Sequence, residues 1–567
     1  MARGVDALAG LGRRWPVTAT TDADLERALA FLDADVDAET VLRAGYGAAT
    51  VVALAAVPVV LLASPDHRAP LAAFSLALAL SGPVLARRAP VAAATAHRTR
   101  ALGAAPGLVA RAVLRMRIEP ATERAAAFAA ETGDGPLAAS LDGHVRRATG
   151  TPKTGLTTFA AEWADWNPAL RRSMLLVAAA ADAPPGERER TLDRALTAVL
   201  TGTRDRMAAF VADVRGPATA IYAFGVLLPL ALVAVLPAGR AAGLPVSTDA
   251  LVVVYDLLLP AALLGASAWL LARRPVAFPP PAVTRAHPNV PDRQWTVVVG
   301  ALALGTVAFV GAGVVLPKWT RWIAAAGTGA GAVLVGATRP VVAVRNRVRA
   351  VETHLTDALY LVGRRVKEGA AVEDALAVAA DEVAGETGDV LAVAARNQRL
   401  LRAGVHEAFL GEYGALADVP SPRARSAAAL LALAAREGRP AGSAVVAMAD
   451  HLDDLDEVER EARRELAQAT GTLKSTAAAF GPLVAGATVA LARGMAGTAE
   501  FGGAVPTATL GLAVGTYVLL LAAIVTALAT SLERGFDRTL VAYRVGVAVL
   551  SATGVYLASF AGASTLT

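Results

Sequence analysis

Few residues of this 567-residue chain are spaced as an active site would require. The sequence has no G-x-x-x-x-G-K-[ST] loop, the motif through which many proteins bind the phosphates of ATP. It also has no H-E-x-x-H pair and no cysteine, which excludes thiolate metal sites, iron–sulfur clusters and cysteine nucleophiles. These patterns predict a protein that is not an enzyme, with no catalytic residue, no cofactor and no bound metal.

One cluster does contain residue types that bind metals. On a helix, Asp450 and Asp454 share a face, and His451 lies three positions before Asp454. The residues that follow include oppositely charged pairs at i,i+4 spacing, such as Asp456 and Arg460. This spacing is typical of a solvated helix face, an interpretation that we favour over a metal site.

Two features lie inside apolar segments. The glycine-rich run 327–331 follows no predicted strand, so it favours close helix packing over nucleotide binding. Asp256 is an ionisable residue within a predicted membrane span, and such residues are functional candidates by default. Asp256 also lies towards the outer end of its span. A structural role and a proton-linked role therefore both stay open, and we favour the structural one.

A cationic group precedes Gly369 at the end of a predicted amphipathic helix. The group consists of Arg364, Arg365, Lys367 and Glu368, at a helix C-terminus that favours positive charge. These residues form either a solvated face or a docking patch whose free charges suit an acidic partner.

Composition shows which elements must position these residues. Apolar residues make up 55% of the chain and charged residues 18%, against about 25% charged in ordinary soluble domains. This excludes a disordered chain and a typical cytosolic enzyme, and it predicts an all-α integral membrane protein. About nine segments are long and apolar enough to cross a bilayer. They are 44–63, 69–86, 216–239, 250–272, 296–316, 322–337, 475–492, 507–532 and 545–565.

Arginine and lysine are concentrated on one side of these segments. Arg43, Arg87, Arg88, Arg273 and Arg274 lie at span ends on that side, whereas the loops on the other side contain few cations. The positive-inside rule therefore predicts a cytoplasmic N-terminus, an external C-terminus and a location in the cell membrane. The N-terminus shows no apolar core of a signal peptide. We expect no nucleic-acid partner.

The polar and apolar blocks recur at an interval of about 252 residues, which indicates a parallel tandem repeat. Each unit has a membrane hairpin, an antiparallel cytoplasmic helical bundle and a second span pair. The predicted divisions are an N-terminal segment 1–43, hairpin 44–86, first bundle 87–215, span pair 216–272, Pro-rich linker 273–295, hairpin 296–338, second bundle 339–474, span pair 475–532 and a final turn and span 533–567.

The second bundle is predicted to contain about six helices. An apolar stripe predicts the first helix over 345–368, with Gly369 ending it. Ser421 is the predicted N-cap of the fifth helix, because proline follows it at the first helical position. The remaining predicted helices are 372–383, 389–403 ending at Gly404, a short one near 407–417, and one from 440 that shows no breaker until Gly471.

Several sequence patterns resemble the type II secretion system F-domain family. They are the run 358–369 (ALYLVGRRVKEG) followed by 372–376 (VEDAL), the helix 425–438, and Phe480-Gly481-Pro482 at the entry to a span. The first bundle departs from this pattern, because it has Glu119-Pro120 where the second has Glu368-Gly369. The duplicated layout is most similar to the platform proteins of archaeal pili and of the archaellum.

The resemblance implies a non-enzymatic platform protein beneath a type IV pilus-like filament. It would couple a separate hexameric secretion ATPase to extraction of pilin subunits from the membrane, in contact with membrane lipid and as a homodimer. The alternative is a polytopic transporter of a small solute with cytoplasmic helical domains. Transporters usually place polar residues and broken helices at mid-membrane, whereas these spans are rich in Ala, Leu and Val.

Overall fold

The computed structural model describes residues 22–566 except 33, 35, 63–64, 134, 151–153, 242–247, 275–282, 284–286, 289, 292–293, 438 and 497–505. Within these residues the fold is entirely helical and contains no β-strand. The helices of the first half are α1 Ala23–Phe31, α2 Ala38–Leu62, α3 Pro65–Gly103, α4 Ala105–Ile118, α5 Thr122–Glu131, α6 Pro136–Ala148, α7 Gly155–Glu162, α8 Pro168–Ala179, α9 Pro185–Tyr222, α10 Leu228–Ala241, α11 Thr248–Val252 and α12 Leu259–Ala272.

The second half begins with a membrane helix and ends with three. Its helices are α13 Gln294–Val315, α14 Thr320–Thr353, α15 Leu355–Glu368, α16 Val372–Glu382, α17 Gly385–Leu401, α18 Val405–Leu410, α19 Pro422–Glu437, α20 Arg439–Ser475, α21 Gly481–Ala496, α22 Thr507–Arg534 and α23 Arg538–Ser564. Short π-helical turns join α9 to α10, α11 to α12 and α20 to α21, over Ala223–Leu227, Val253–Leu258 and Thr476–Phe480.

Eight helices of the described chain are long and apolar enough to cross a membrane, which indicates a membrane protein. They coincide with eight of the predicted spans. The ninth prediction, 69–86, falls in α3 and is not among the eight; many side chains of this segment lie outside the described residues.

Among the membrane helices that extend far beyond their apolar segments, two contain a π turn. Pro185–Val235 is helical over 51 residues and Ala441–Gly494 over 54, and each changes from charged to apolar close to its π turn. A π turn removes an α-helical hydrogen bond, so a carbonyl there needs another donor. Tyr517 Oη donates to Gly225 O across 2.5 Å, and Ser551 Oγ donates to Ala478 O across 3.0 Å.

Each polar block has its own hydrophobic core. The first lies within residues 101–199 and includes the fully buried Phe159 and Leu170. The second lies mainly within residues 348–455, but Leu114 and Leu200 of the first block also belong to it. The two blocks therefore pack directly against each other. A further core joins the membrane helices.

Close packing of α14 on α23 explains the glycine-rich run 327–331. A Cβ atom at Gly327 would lie 2.0 Å from Thr553 Oγ1, and one at Gly331 would lie 2.6 Å from Leu550 Cγ. Only glycine permits this approach, so the predicted helix-packing role of the run is confirmed.

Some helix boundaries differ from the predictions. The helix predicted over 345–368 is broken at His354, which separates the long membrane helix α14 from α15. The helix predicted to end at Gly404 instead ends at Arg402, which takes a left-handed φ of 50°. The helix predicted near 407–417 is the shorter α18, which begins two residues earlier and ends at Leu410. Ser421 is confirmed as an N-cap, because its Oγ accepts a hydrogen bond from Ala424 N at 3.0 Å.

Candidate functional site

A cavity of about 1830 Å³ lies where both polar blocks meet the ends of the membrane helices. Its walls include residues of α3, α4, α12, α14, α19, α20, α22 and α23. The lining is rich in charge, and arginine is its commonest charged residue. This junction is the candidate functional site, because any relative movement of the blocks and the membrane helices would change its shape.

The arginines reach the cavity from the ends of different helices. Arg274 lies just beyond α12, Arg349 lies in the last turns of α14, and Arg534 is the last residue of α22. Cations are favoured at helix C-termini, because the carbonyl groups there are left without helical donors. Arg274 Nε donates to Leu532 O at 2.7 Å, so the end of α12 is tied to the end of α22.

An ion-pair network holds one wall of the cavity. Arg423 at the start of α19 contacts Asp456 Oδ1 at 2.6 Å and Glu459 Oε2 at 2.7 Å on α20. Burial opposes the charge of Arg423, but the Glu459 and Asp456 carboxylates outweigh burial and raise its pKa. Glu459 also pairs with Arg463. The network therefore fixes α19 against α20.

Ser421 connects the α19–α20 wall of the cavity to the membrane helices. Its hydroxyl donates to Glu352 Oε1 of α14 at 2.5 Å while capping α19. Glu352 is thus held by a neutral donor and has no direct ion pair within the described chain.

Positive charge remains in excess in the cavity. Within the described residues, no carboxylate pairs with Arg349 or Arg534, and these two groups repel each other. Burial, reinforced by the charge of Arg463, lowers the pKa of Arg274 to about 10. Arg274 therefore stays protonated at neutral pH, and the cavity can attract an anion.

A buried ion pair stands beside the cavity. Arg345 of α14 pairs with Asp537, and the side chains of Arg345 and Asp537 are 9% and 3% exposed, respectively. Asp537 Oδ1 also accepts from Thr539 N and Leu540 N at 3.0 Å each, which caps α23. One aspartate therefore both starts the last membrane helix and fixes it to α14.

The predicted cationic group lies apart from the cavity, on the surface at the end of α15. Arg364 and Arg365 side chains are 67% and 41% exposed. The docking-patch interpretation predicted arginine charges without ion-pair partners, but both arginines form ion pairs. Arg364 Nε lies 3.0 Å from Glu368 Oε1, and Arg365 Nη2 lies 3.2 Å from Glu382 Oε1. Lys367 is exposed and has no ion pair within the described chain.

Gly369 ends α15 as predicted. Its φ is 107°, a left-handed value that favours glycine, and Ala370 N bonds back to Arg365 O at 3.0 Å.

Asp256 lies in the π turn Val253–Leu258, and it does not line the cavity. Its Oδ1 is buried without a hydrogen-bond partner in the described structure. The adjacent Tyr255 points elsewhere and donates to Pro229 O at 2.8 Å. The structural and the proton-linked roles of Asp256 both stay predictions.

The Asp450, His451 and Asp454 cluster does not converge. Asp450 and Asp454 are exposed, whereas His451 is only 3% exposed and faces Pro106 of the first block. The solvated-face interpretation thus fits both aspartates, and the histidine belongs to the contact between the blocks. Among the residues that were placed, no group of three or more His, Asp or Glu is arranged to hold a metal ion.

Sequence reasoning missed the cavity itself. Arg274 stood out only as an orientation signal, and the contributions of Arg349, Arg423, Arg463 and Arg534 required the tertiary arrangement. A comparison with protein-family models, with curated proteins and with solved structures finds no match. Functional inference for this chain therefore depends on the geometry of the junction and of the surfaces around it.

Proposed function

We propose that this chain is the platform protein of a type IV pilus-like assembly machine in the cell membrane. It couples a separate cytoplasmic ATPase hexamer to extraction of pilin subunits, and it works as a homodimer. The observation that best supports this is the continuity of Pro185–Val235 and Ala441–Gly494, which are helical from polar block to membrane. A force applied to either block reaches the membrane without crossing a flexible loop.

The helix lengths support a parallel tandem repeat. The six helices α4–α9 have 14, 10, 13, 8, 12 and 38 residues. The six helices α15–α20 have 14, 11, 17, 6, 16 and 37 residues. A π turn of 5 residues follows each series, at Ala223–Leu227 and Thr476–Phe480. Matching order, length and π turn argue for two copies of one unit in the same orientation.

This correspondence gives the two copies different roles. When the 14-residue helices α4 and α15 are aligned by their ends, one position away from the pairing of Glu119-Pro120 with Glu368-Gly369, Arg115 and Arg117 match Arg365 and Lys367. The side chains of Arg115 and Arg117 are only 14% exposed. Arg115 pairs with Glu119 and lies 3.6 Å from Glu437 of the second block, while Arg117 pairs within its own block. Only the second block presents these cations to solvent, so we place ATPase docking on Arg364, Arg365, Lys367 and Glu368.

The orientation can be tested with single cysteines, because the chain has none of its own. Glu189, Asp450 and Thr565 are exposed positions in the first block, the second block and the C-terminus. Glu189→Cys and Asp450→Cys should resist an impermeant thiol reagent in intact cells, and Thr565→Cys should label. All three should label after permeabilisation, which controls for access. Labelling of Asp450→Cys in intact cells would contradict the proposed orientation.

Partner capture tests the function directly. The tagged chain, purified in mild detergent, should recover a hexameric ATPase and a pilin-type subunit, because a chain without a phosphate-binding loop needs an external energy source.

The transporter remains the second candidate, since the unpartnered carboxylate oxygen of Asp256 in a membrane helix is a typical feature of ion-coupled carriers. Purification without either partner, with proton-coupled uptake into liposomes that Asp256→Asn abolishes, would favour the transporter.

A further inference from the structure

The lining of the cavity at the junction combines two chemistries. Arg274, Arg349, Arg463 and Arg534 contribute guanidinium groups. Leu271 near the end of α12 and Phe536 in the turn before α23 contribute apolar surface. Phe536 is 54% exposed, and both apolar residues lie beside the ends of membrane helices. An occupant that satisfied both chemistries would be an amphiphile with an anionic head.

The charge balance favours an anion from outside the chain. Glu459 is already shared by Arg423 and Arg463, and Glu352 is held by a serine hydroxyl. Arg349 and Arg534 are half-buried, form no ion pair within the described chain and repel each other. Glu352 and Glu459 attract Arg349, and Glu533 attracts Arg534, but only from beyond ion-pair distance. Half-buried like charges are unfavourable unless a counter-charge is supplied, because burial weakens their hydration.

Arginine is well suited to phosphate as that counter-charge. Its planar guanidinium group donates two parallel hydrogen bonds to phosphate oxygens and is weakly hydrated, so it loses little on partial burial. A cavity of about 1830 Å³ is larger than a single phosphate ion requires, and typical small-molecule pockets are about 300–1,000 Å³.

We propose that this cavity binds the phosphate headgroup of an anionic phospholipid. Arg349 and Arg534 contact the phosphate, and the acyl chains leave along Leu271 and Phe536 towards the membrane. The site is independent of the filament role, because a transporter with this cavity would bind the same lipid.

The test uses the full chain, purified in detergent and stripped of lipid. Binding of phosphatidylglycerol and of phosphatidylcholine with identical acyl chains is measured by native mass spectrometry and by the shift in melting temperature. Glycerol 3-phosphate forms a third arm, with the anionic head but no tails. We expect phosphatidylglycerol to bind at least about tenfold more tightly than either of the other two ligands.

Matched variants locate the site. Arg349→Gln with Arg534→Gln should remove the preference for phosphatidylglycerol, while Arg364→Gln with Arg365→Gln, which removes two surface charges away from the cavity, should keep it. Should the first double variant fold poorly, each single variant is expected to reduce the preference severalfold. The comparison of the three ligands on the wild-type chain tests the proposal without any variant.

Three outcomes would overturn the proposal. Equal affinity for the two lipids would show that the cavity does not recognise an anionic headgroup. Equal affinity for glycerol 3-phosphate and phosphatidylglycerol would make this a soluble phosphate site. An unchanged lipid preference in the folded Arg349/Arg534 variant would place the lipid elsewhere and leave the cavity to an acidic protein segment.

Discussion

Reversing Arg364 and Arg365 together to glutamate should abolish filament assembly while leaving the amount of chain in the membrane unchanged. Both side chains are largely solvent-accessible, and their ion pairs with Glu368 and Glu382 are surface pairs, which contribute little to stability. Folding should therefore be nearly unaffected. Docking should be lost, because complementary charge guides encounter and register, and the reversal creates repulsion against an acidic partner. Filament counts by electron microscopy and immunoblots of membranes measure both effects.

The first block provides the control for this reversal. Arg146 is 77% exposed and pairs with Asp142 one helical turn earlier, much as Arg364 pairs with Glu368. Arg146→Glu with Arg147→Glu changes the same number of charges on a surface that we do not assign to docking, and assembly should persist. Normal filaments in the Arg364/Arg365 variant would identify the α15 surface as a solvated face and move docking elsewhere.

Asp537→Asn should lower the free energy of unfolding by about 3–5 kcal/mol, because it leaves the buried Arg345 guanidinium without a counter-charge. Asparagine is as good an N-cap as aspartate, so the hydrogen bonds to Thr539 N and Leu540 N can persist. The substitution therefore isolates the charge from the cap. Denaturant unfolding in detergent micelles, followed by circular dichroism, gives the difference.

Two comparisons make this prediction specific. Glu368→Gln removes the carboxylate of an exposed pair and should leave the free energy of unfolding nearly unchanged. Arg345→Met combined with Asp537→Asn removes both charges and should recover much of the loss, since replacing a buried pair with apolar groups is often neutral. A loss at Asp537→Asn no larger than that at Glu368→Gln would show that water reaches the pair.

The sequence was sufficient for features that depend on local chemistry. Eight spans follow from runs of apolar residues that only a bilayer or a core can accept. Gly369 marks the end of a helix because the residue after the last helical turn takes a left-handed φ, which glycine favours. Ser421 marks the start of a helix because its hydroxyl accepts a hydrogen bond from a backbone N–H of the first turn. The exposed position of Arg364 and Arg365 follows from the apolar stripe on the opposite face of the same helix.

Features that depend on partners distant in sequence could not be predicted. The break at His354 lies next to Thr387, whose hydroxyl donates a hydrogen bond to Val351 O at 2.8 Å. The cavity joins Arg274 to Arg349 and Arg534 only after several helices converge, and its uncompensated charge depends on which carboxylates are already paired.

The π turns also set a geometric relation between the blocks and the membrane. Each lies at the point where a long helix becomes apolar, and a wider turn is where a helix bends most readily. With 38 residues before its π turn, α9 is an arm about 57 Å long, so tilting it by about 10° at Ala223–Leu227 would move Pro185 by about 10 Å. The same tilt would shift atoms a few ångströms from the turn by less than about 1 Å. A tilt of either long helix about its π turn would therefore convert a wide swing outside the bilayer into a small displacement beside the turn.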